Sequence, residues 1–594
     1  MSPNRPFLAA ALLGASSLVH AQDAAPDNTP VAATAQTPLS ESLNPVTDAP
    51  LVSELPARQA AAPSSNVTVN LIGRLVQKGI LTQAEAVVLV QQAEADAATA
   101  AQNTVLPPNA DDTRVSYIPE VVRNNMRDQI KQELMATAHE EKWSEKSSPD
   151  WTSKFRPFGD IRARYESTFY GKGNDSATGS FTNFNAINTG PPLKSDPYGL
   201  NYYPQYNVDQ NRQRARIRAR VGSDIMLGDG FNGGFRIGTG DSNTPVSTNQ
   251  TLGASGGNFS KYAIWLDRAF MSYDAGPGDG QELVFLLGRF DNPFFSTDVQ
   301  WDEDIGFDGL AVRGKAKLND QASTFFTAGY FPMYNTDLNF ASNQTAKFAS
   351  TDKWLTGAQF GIEWKMTEEL TSKFGIAYYD YGNVEGKLSS PVLTPTDKDP
   401  GDTDTTRPSF AQRGNTYMAL RDVINDTGGP AADNPYQYQY YGLSSKFRNL
   451  TVTGKIDYDH FDPVRISLIG EVTKNIAFNK SQVADRAVNN YGSAYDGGDT
   501  AWNINFQVGK PALESFGDWQ AGFGYRYVES DAVVDAFTDS DFAGGSTNVQ
   551  GFTLRGTMAL SPAVRCGIRW MSSNEIIGAP LSSDILEFDI NAKF

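Results

Sequence analysis

The stretch NRQRARIRARV (residues 211–221) places an arginine at every second position. Small or apolar residues, among them Ala215, Ile217, Ala219 and Val221, lie between the arginines. An α-helix would spread these charges around its circumference because its period is 3.6 residues, whereas a β-strand puts them all on one face. The stretch therefore predicts a strand with one charged, hydrated face and one apolar face.

The same alternation recurs from about residue 151 to the last residue. Examples are GDIRARYES, GLAVRGKAKL, AWNINFQVGK, GFTLRGTMAL and AVRCGIRWM, and clusters typical of turns separate them. In a soluble β-sandwich the apolar face of each strand forms the core. In a membrane barrel that face meets lipid and the polar face lines the lumen. Alternation alone leaves both architectures open.

Three further features favour the membrane barrel. The C-terminal stretch DILEFDINAKF puts Phe588, Ile590 and Phe594 on one face, which looks like the signal by which outer-membrane barrels are recognised for insertion. Long polar stretches such as residues 385–440 alternate with tight turns, as in bacterial outer-membrane barrels. We count about 16 segments between residues 151 and 594, within the even-numbered range of these barrels. The predicted fold is therefore an all-β, antiparallel transmembrane barrel.

Composition and residue types argue against several other functions. The net charge of −18 argues against nucleic-acid binding, which requires a basic surface. The single cysteine, Cys566, excludes an intramolecular disulfide framework and a multi-cysteine metal site. His460, in DYDHFD, lies among carboxylates and leaves a barrel enzyme as an alternative, but no serine partner is identifiable. We expect no catalytic residue, no metal and no cofactor.

The N-terminus is predicted to be an export signal followed by a linker. In residues 1–21 a single cation, Arg5, precedes an apolar run that ends in a small-x-small cleavage site. That run is too short to span a bilayer. Residues 22–65 are rich in Ala, Pro, Thr and Ser without periodicity, which is typical of a disordered linker.

Two helical segments are predicted before the barrel, joined by a second linker at residues 99–115. Residues 66–98 suit a helical hairpin, whose second helix opens with the capping-box pattern TQAE. Residues 116–148 suit one periplasmic helix with a narrow apolar stripe. The stripe fits a coiled coil that holds subunits together, and it equally fits a lone helix packed on its neighbours.

The arginine-rich face is predicted to line a water-filled lumen, where charged residues are tolerated and tune selectivity. As a set, these residues would form a basic wall that attracts anions or sets up a field across the pore. The alternatives are a hydrated face without selectivity, and structural arginines paired with loop carboxylates. The predicted pore-lining basic residues are Arg162, Arg164, Arg212, Arg214, Arg216, Arg218, Arg220, Arg313, Lys315, Lys317, Arg555, Arg565 and Arg569.

An acidic segment, GRFDNPFFSTDVQWDEDIGFDGL, starts at the end of a predicted strand from Glu282 to Phe290. A loop of this size inside the lumen would narrow the pore and set carboxylates across from the arginines. The resulting transverse field would align dipolar solutes. The alternative is an exposed acidic loop. The candidate constriction residues are Asp291, Asp298, Asp302, Glu303, Asp304 and Asp308.

Three tyrosines in NPYQYQYYG, namely Tyr436, Tyr438 and Tyr440, share one face of a predicted strand. We expect them in the aromatic girdle at the membrane interface, with a stacking track for sugars as the alternative.

Several motifs together resemble a known family. They are GRLVQKGILTQAEA, YIPEVVRNNMRDQIKQELMATAHEEKW, GDIRARYES, RQRARIRARVG and GRFDNPFFSTDVQWDEDIGFDGLAV. In combination they resemble the putative porin family of Gram-negative bacteria, from about residue 66 to residue 594. The resemblance implies an outer-membrane diffusion channel for small hydrophilic solutes, surrounded by lipid, inserted by the barrel-assembly machinery and, by analogy with general porins, homotrimeric. A substrate-specific channel for anions or sugars, and a non-conducting barrel enzyme or adhesin, stay open as alternatives.

Overall fold

The structure is a computed structural model of the 594-residue chain. It describes residues 150–594 apart from 178, 196–202, 241–243, 255, 277, 279, 337–347, 350, 425–436 and 490–494. Residues 75–76, 82, 84, 86–89 and 91–92 are also described. The chain divides into two compact units, Met1–Val122 and Arg123–Phe594.

β-strands are the main regular structure in the described part of the second unit, because its alternating sequence suits strands with two unlike faces. The long strands are β1 Phe155–Tyr170, β2 Arg212–Gly228, β3 Phe231–Gly238, β4 Trp265–Asp274, β5 Glu282–Asp291, β6 Gly306–Lys317, β7 Ala322–Tyr334, β8 Lys353–Lys365, β9 Leu370–Gly382, β10 Arg448–Phe461, β11 Val464–Asn475, β12 Thr500–Gly509, β13 Trp519–Val528, β14 Val549–Ala559, β15 Val564–Glu575 and β16 Ser582–Lys593.

These strands close into one antiparallel barrel of 16 strands, as predicted. Each strand pairs with the next along the chain, and β16 pairs with β1 in the register Ala163↔Ile590. Gly159 and Phe594 exchange two further backbone hydrogen bonds of 2.9 and 3.0 Å at the closure. Closure removes the unpaired sheet edge that could not exist in lipid.

The apolar face of each strand points outward. Phe588 is 48% exposed, and it alternates with Glu587, which is buried inside the barrel. Arg569 lies inside in the same way, while Ile568 and Trp570 are exposed. This arrangement inverts that of a soluble protein and fits a barrel with lipid outside and polar groups inside.

Long and short connections separate onto two rims, as predicted. The start of β1, the end of β16 and the short connections at 229–230, 275–281, 318–321, 366–369, 462–463, 510–518 and 560–563 share one rim. The opposite rim carries the connections 171–211, 239–264, 292–305, 335–352, 383–447, 476–499, 529–548 and 576–581. Short turns mark the periplasmic rim of an outer-membrane barrel.

The long connections contain short elements of their own. The helices are α1 Phe184–Thr189 and α2 Lys480–Arg486, and 3-10 turns occupy Asp404–Thr406, Asp535–Phe537 and Phe542–Gly544. A further 3-10 turn, Asp150–Lys154, precedes β1, and short strands lie at Leu193–Ser195, Gln250–Thr251, Tyr417–Ala419, Gln437–Gln439 and Tyr441–Leu443.

The aromatic-girdle prediction is wrong for Tyr438 and Tyr440. Tyr438 lies in a short loop strand paired with Leu193–Ser195, and the ring of Tyr440 lies beneath Arg407, 4.3 Å from ring centroid to guanidinium carbon. Period-two alternation marks any strand, so it cannot distinguish a loop strand from a wall strand. Tyr436 is outside the described residues.

In the first unit the described residues 75–76, 84, 86–89 and 91–92 are helical. The backbone amide of Ala86 donates to the Thr82 carbonyl (3.1 Å), where the second helix of the hairpin was expected to start. The predicted signal peptide, both linkers and the 116–148 helix lie outside the described residues. Among the described residues, no helix is long and apolar enough to cross a membrane.

Candidate functional site

The connection between β5 and β6, residues 292–305, lies inside the barrel, and we call it the crossing loop. The Thr297 amide and hydroxyl donate to the Glu471 carboxylate of β11 (2.8 and 3.0 Å). Gln300 donates to the hydroxyl of Tyr381 in β9 (2.9 Å), and Asn503 of β12 donates to Thr297 (3.0 Å). Since β9, β11 and β12 are not sheet neighbours of β5 and β6, the loop spans part of the lumen.

Aromatic packing holds the crossing loop against the wall formed by β6 to β9. The rings of Phe294 and Tyr379 meet edge to face with centroids 5.1 Å apart. Trp301 packs in the same way on Phe307 (4.9 Å) and on Tyr379 (5.3 Å). All four side chains are buried. Such pairs stabilise the packing beyond their buried area, so the loop has a fixed position.

A second connection, residues 529–548, also packs inward, and we call it the inner acidic loop. The Asp302 amide donates to the Phe537 carbonyl (2.8 Å), and the Asp539 amide donates to the Asp298 carbonyl (3.0 Å). The two loops therefore form one packed unit in the lumen. This second loop was not predicted from the sequence, although the repeated aspartates of SDAVVDAFTDSDF were its visible signal.

Carboxylates of the inner acidic loop meet arginines of the barrel wall. Arg164 of β1 contacts Asp541 (2.8 Å) as well as Glu587 (2.7 Å) and Asp589 (2.7 Å) of β16. Arg569 of β15 contacts both Asp541 and Glu587. Because these charged groups are buried, removal of one partner would leave an uncompensated charge inside the protein. Burial alone would raise the pKa of Asp541, but Arg569 and Arg164 hold it well below its usual range.

Three other aspartates of the two loops, Asp302, Asp531 and Asp535, form no ion pair with a described residue, whereas Asp298 and Asp539 contact Arg526. Burial raises the pKa of Asp535 to about 7. Burial, with Asp539 nearby, raises the pKa of Asp302 well above its usual range, and burial also raises the pKa of Asp531. Burial therefore makes each of these three carboxylates easier to protonate than an exposed aspartate.

The arginine ladder of β2 faces inward and is largely ion-paired. Arg218 and Arg220 contact Asp160 (2.9 and 2.7 Å), and both lie near Asp304 (3.6 and 3.3 Å). Register explains the pairing, because Asp160 lies directly opposite Arg220 on the neighbouring strand β1. Opposite charges on facing positions stabilise a strand pair.

The arginines of β2 nearer to the extracellular rim share one carboxylate, whereas Arg218 and Arg220 share two. Arg214 and Arg216 both contact Glu166 of β1 (2.5 and 3.2 Å). Arg162 donates to the neutral side chain of Asn249 (2.5 Å). Arg212, at the end of the strand, is exposed. Asp160 and Glu166 share the polar face of GDIRARYES, but sequence analysis did not pair them with the ladder.

The six predicted acidic residues do not form one group, because only four of them lie in the crossing loop. Asp291 and Asp308 lie in β5 and β6, since strand pairing extends as far as Asp291↔Gly306. There Asp291 contacts Arg268 (2.6 Å) and Asp308 contacts Arg289 (2.6 Å).

Within the crossing loop the carboxylates point to different arginines. Asp298 contacts Arg526 of β13 (2.7 Å), and Asp304 lies near the ladder. Glu303 is exposed and interacts electrostatically with Arg555 of β14. The carboxylates therefore touch the arginines in several places, whereas the expected arrangement set one acidic side across from one basic side.

Basic side chains dominate the lumen on the periplasmic side of the crossing loop. Lys315 shares Glu363 with Lys373 (2.5 and 2.8 Å), while Arg555 contacts the neutral Gln507 (3.3 Å). Arg565 donates to the Leu513 carbonyl (3.3 Å), and Lys317 meets Asp320 (2.7 Å) in the β6–β7 turn. Arg313 is exposed on the same inward face as Lys315. These residues carry more positive than negative charge.

The alternative enzyme site gains no support from geometry. His460 lies near the periplasmic end of β10, where its Nδ1 is 2.9 Å from Glu369 and both side chains are half exposed. No group of three or more His, Cys, Asp or Glu residues able to hold a metal is found among the described residues.

Three solved structures illustrate the similarity to known proteins. The outer membrane channel DcaP of Acinetobacter baumannii is 10% identical, and the match covers 74% of this chain and 97% of that one (TM-score 0.35). Pseudomonas putida OprB is 11% identical with 75% and 95% covered (TM-score 0.38). An anion-selective porin from Comamonas acidovorans is 11% identical with 74% and 99% covered (TM-score 0.34). The fold is established by its strand pairing and not by these distant similarities.

No curated protein matches this sequence. A family model described as "Putative porin", in contrast, matches residues 65–594, which include the whole barrel. The chain therefore belongs to this porin family and forms an outer-membrane β-barrel channel.

Proposed function

We propose that this protein lets small hydrophilic solutes and ions diffuse passively across the outer membrane, with a preference for anions. The observation that carries the proposal is the crossing loop inside a closed barrel, with exposed basic groups on its periplasmic side. Arg313 and Arg555 have no carboxylate within ion-pair distance among the described residues. Uncompensated charge along a water-filled pore raises the local concentration of the opposite ion.

Liposome swelling tests this function. Liposomes that contain the refolded protein should swell in solutions of small sugars at rates that fall as the sugar grows. Protein-free liposomes and liposomes with heat-denatured protein serve as controls. A barrel that inserts fully but leaves swelling at the protein-free rate would contradict the proposal and favour a non-conducting barrel.

We further propose that Phe588, Ile590 and Phe594 form the signal for barrel assembly and that the mature protein is a homotrimer. Phe594 is 68% exposed and stands beside the closure of the barrel, so a partner can reach it. Phe594→Ser should therefore lower the amount of folded protein in the outer membrane severalfold. Phe516→Ser removes an equally exposed phenylalanine from a periplasmic turn and should leave the amount unchanged. Equal amounts of both variants, measured by heat-modified gel mobility, would refute the signal.

The raised pKa of Asp535 predicts that the inner acidic loop packs more firmly in acid. Because burial raises this pKa to about 7, the packed loop binds a proton that the released loop gives up. The packed state is therefore fully favoured below the ordinary value of about 3.9, and it loses stability as the pH rises through 7. Asp531 nearby acts in the same direction.

Hydrogen exchange of residues 529–548, corrected for the intrinsic effect of pH, should be slower at pH 5 than at pH 8. Asp535→Asn mimics the protonated side chain, so this variant should stay protected at both pH values. Equal protection of the unmodified loop at both pH values would show that Asp535 does not control its packing.

A further inference from the structure

A polar cavity of about 660 Å³ lies between the upper arginine ladder and the long connections of the extracellular rim. Its walls include Arg214 and Arg216 of β2, the indole of Trp265, and an array of amides and hydroxyls. None of its described lining residues is Asp, Glu or Lys. The lining amides and hydroxyls include those of Asn183, Asn185, Asn249 and Ser247.

Two arginines that line this cavity, Arg214 and Arg216, share one carboxylate, and a third, Arg162, donates to the cavity-lining Asn249. Within the described part of the barrel, Glu166 is the only carboxylate in ion-pair distance of Arg214 and Arg216, and Arg162 has none. The next carboxylates, Asp541 and Asp589, form ion pairs with Arg164, and Asp541 also with Arg569. The wall of the cavity therefore carries uncompensated positive charge.

One guanidinium nitrogen of Arg162 and one of Arg216 lack a hydrogen-bond acceptor. Arg162 is only 6% exposed, and its Nε and that of Arg216 have no hydrogen-bond partner among the described residues. Arg162 donates to Asn249 (2.5 Å) and Arg216 to Ser247 (3.3 Å), both neutral residues that line the cavity. A buried guanidinium held by neutral partners is expensive unless an anion approaches it.

The amides around the cavity can recognise further polar groups. Asn183 and Asn185 use their side-chain oxygens to accept from the Ala186 and Ala411 amides (2.9 and 3.0 Å). Their side-chain NH2 groups donate to no other described residue and are available to the cavity. Two or three such donors beside an arginine pair can bind the hydroxyls of a polyol chain.

We propose that this cavity is a binding site for small hydroxylated carboxylates, such as sugar acids. The carboxylate would be held by Arg216 and Arg214, and the hydroxyls by the amide and hydroxyl groups around it. Guanidinium groups bind carboxylates through charge-assisted, bidentate hydrogen bonds, which gives both affinity and orientation. The site would then collect organic anions at the extracellular entrance of the proposed diffusion channel, on whose function this inference rests.

Calorimetric titration of the detergent-folded full chain with D-gluconate tests the site directly. Sorbitol is the matched neutral probe, because it shares the carbon skeleton and lacks the carboxylate. Gluconate should bind and sorbitol should not. Arg216→Gln should weaken gluconate binding by about tenfold or more, since a charge-assisted bond is lost. Lys365→Gln, at the periplasmic end of β8, removes a cation elsewhere and should not change binding.

A second variant, which is expected to bind gluconate more tightly, distinguishes loss of the site from loss of folding. Glu166→Gln removes the one competing carboxylate and should tighten gluconate binding, a result that misfolding cannot mimic. Equal binding of gluconate and sorbitol, or equal affinity of the unmodified chain and the Arg216→Gln variant, would overturn the site. Conduction in KCl by the same preparation separates the two proposals. A conducting chain that does not bind gluconate refutes this site alone, whereas a binding chain that does not conduct refutes the diffusion function.

Discussion

Replacing the crossing loop, residues 292–305, by an Asn-Gly turn should increase single-channel conductance severalfold. The loop spans from β5 and β6 to Glu471 on β11, so its removal opens the part of the lumen that it occupies. The barrel should tolerate this change, because Asp291 and Gly306 are directly paired in the sheet and a two-residue turn can join paired strands.

Trp301→Ala offers a graded version of the same experiment. It keeps the loop but removes the aromatic side chain that anchors it on Phe307 and Tyr379. Loss of a buried tryptophan costs about 3–5 kcal/mol, so the loop should leave its position intermittently. We expect noisy current with openings above the usual level. Unchanged conductance in the turn variant would show that the crossing loop does not limit the pore.

Arg164→Met should destabilise the barrel interior by about 3–5 kcal/mol, the usual cost of breaking a buried charge pair. Three carboxylates, Asp541, Glu587 and Asp589, lie within 2.8 Å of this one arginine, and its removal leaves Asp589 without a described partner. The change should lower the midpoint of urea unfolding followed by tryptophan fluorescence.

Arg220→Met is the matched control for this loss. Its carboxylates, Asp160 and Asp304, retain Arg218 as a partner at 2.9 and 3.6 Å. The same substitution in the neighbouring strand should therefore destabilise the protein much less. Equal shifts for the two variants would mean that the network around Arg164 contributes no more than a single redundant ion pair.

The sequence predicted the strands of the barrel wall better than the loops that pack inside the barrel. Alternation of apolar and polar residues depends on the strand period alone, so strands such as β2 and β14 and their inward arginines were recognisable from local pattern. Closure by β16 was also foreseeable, because Phe594 ends an amphipathic strand. The strand count followed from the roughly 16 alternating segments, a number within the even-numbered range of these barrels.

Local sequence pattern could not predict whether a loop packs inside the barrel. Whether residues 292–305 pack inward depends on contacts such as Thr297 with Glu471, which are distant in sequence. The inner acidic loop was missed for the same reason, since its aspartates resemble those of any hydrated loop. Pairing of Arg164 with Asp541 and of Arg218 with Asp160 likewise depends on register and loop position.

The exposed cations on the periplasmic side of the crossing loop are the groups that we expect to give the channel its preference for anions. Arg313, Lys315 and Arg555 face the lumen, and among the described residues only Lys315 of these three forms an ion pair, with Glu363, which it shares with Lys373. Substituting them should change selectivity and leave the fold intact, unlike substitutions in the paired ladder.

The most direct measurement is the reversal potential of the refolded chain in a planar bilayer under a KCl gradient. It should be compared with the triple variant Arg313→Gln, Lys315→Gln, Arg555→Gln. We expect stable conductance steps with an anion-selective reversal potential, which moves toward the cation-selective side in the variant at similar conductance. A correctly folded barrel that inserts and never conducts, or a reversal potential that is the same in both proteins, would contradict this account.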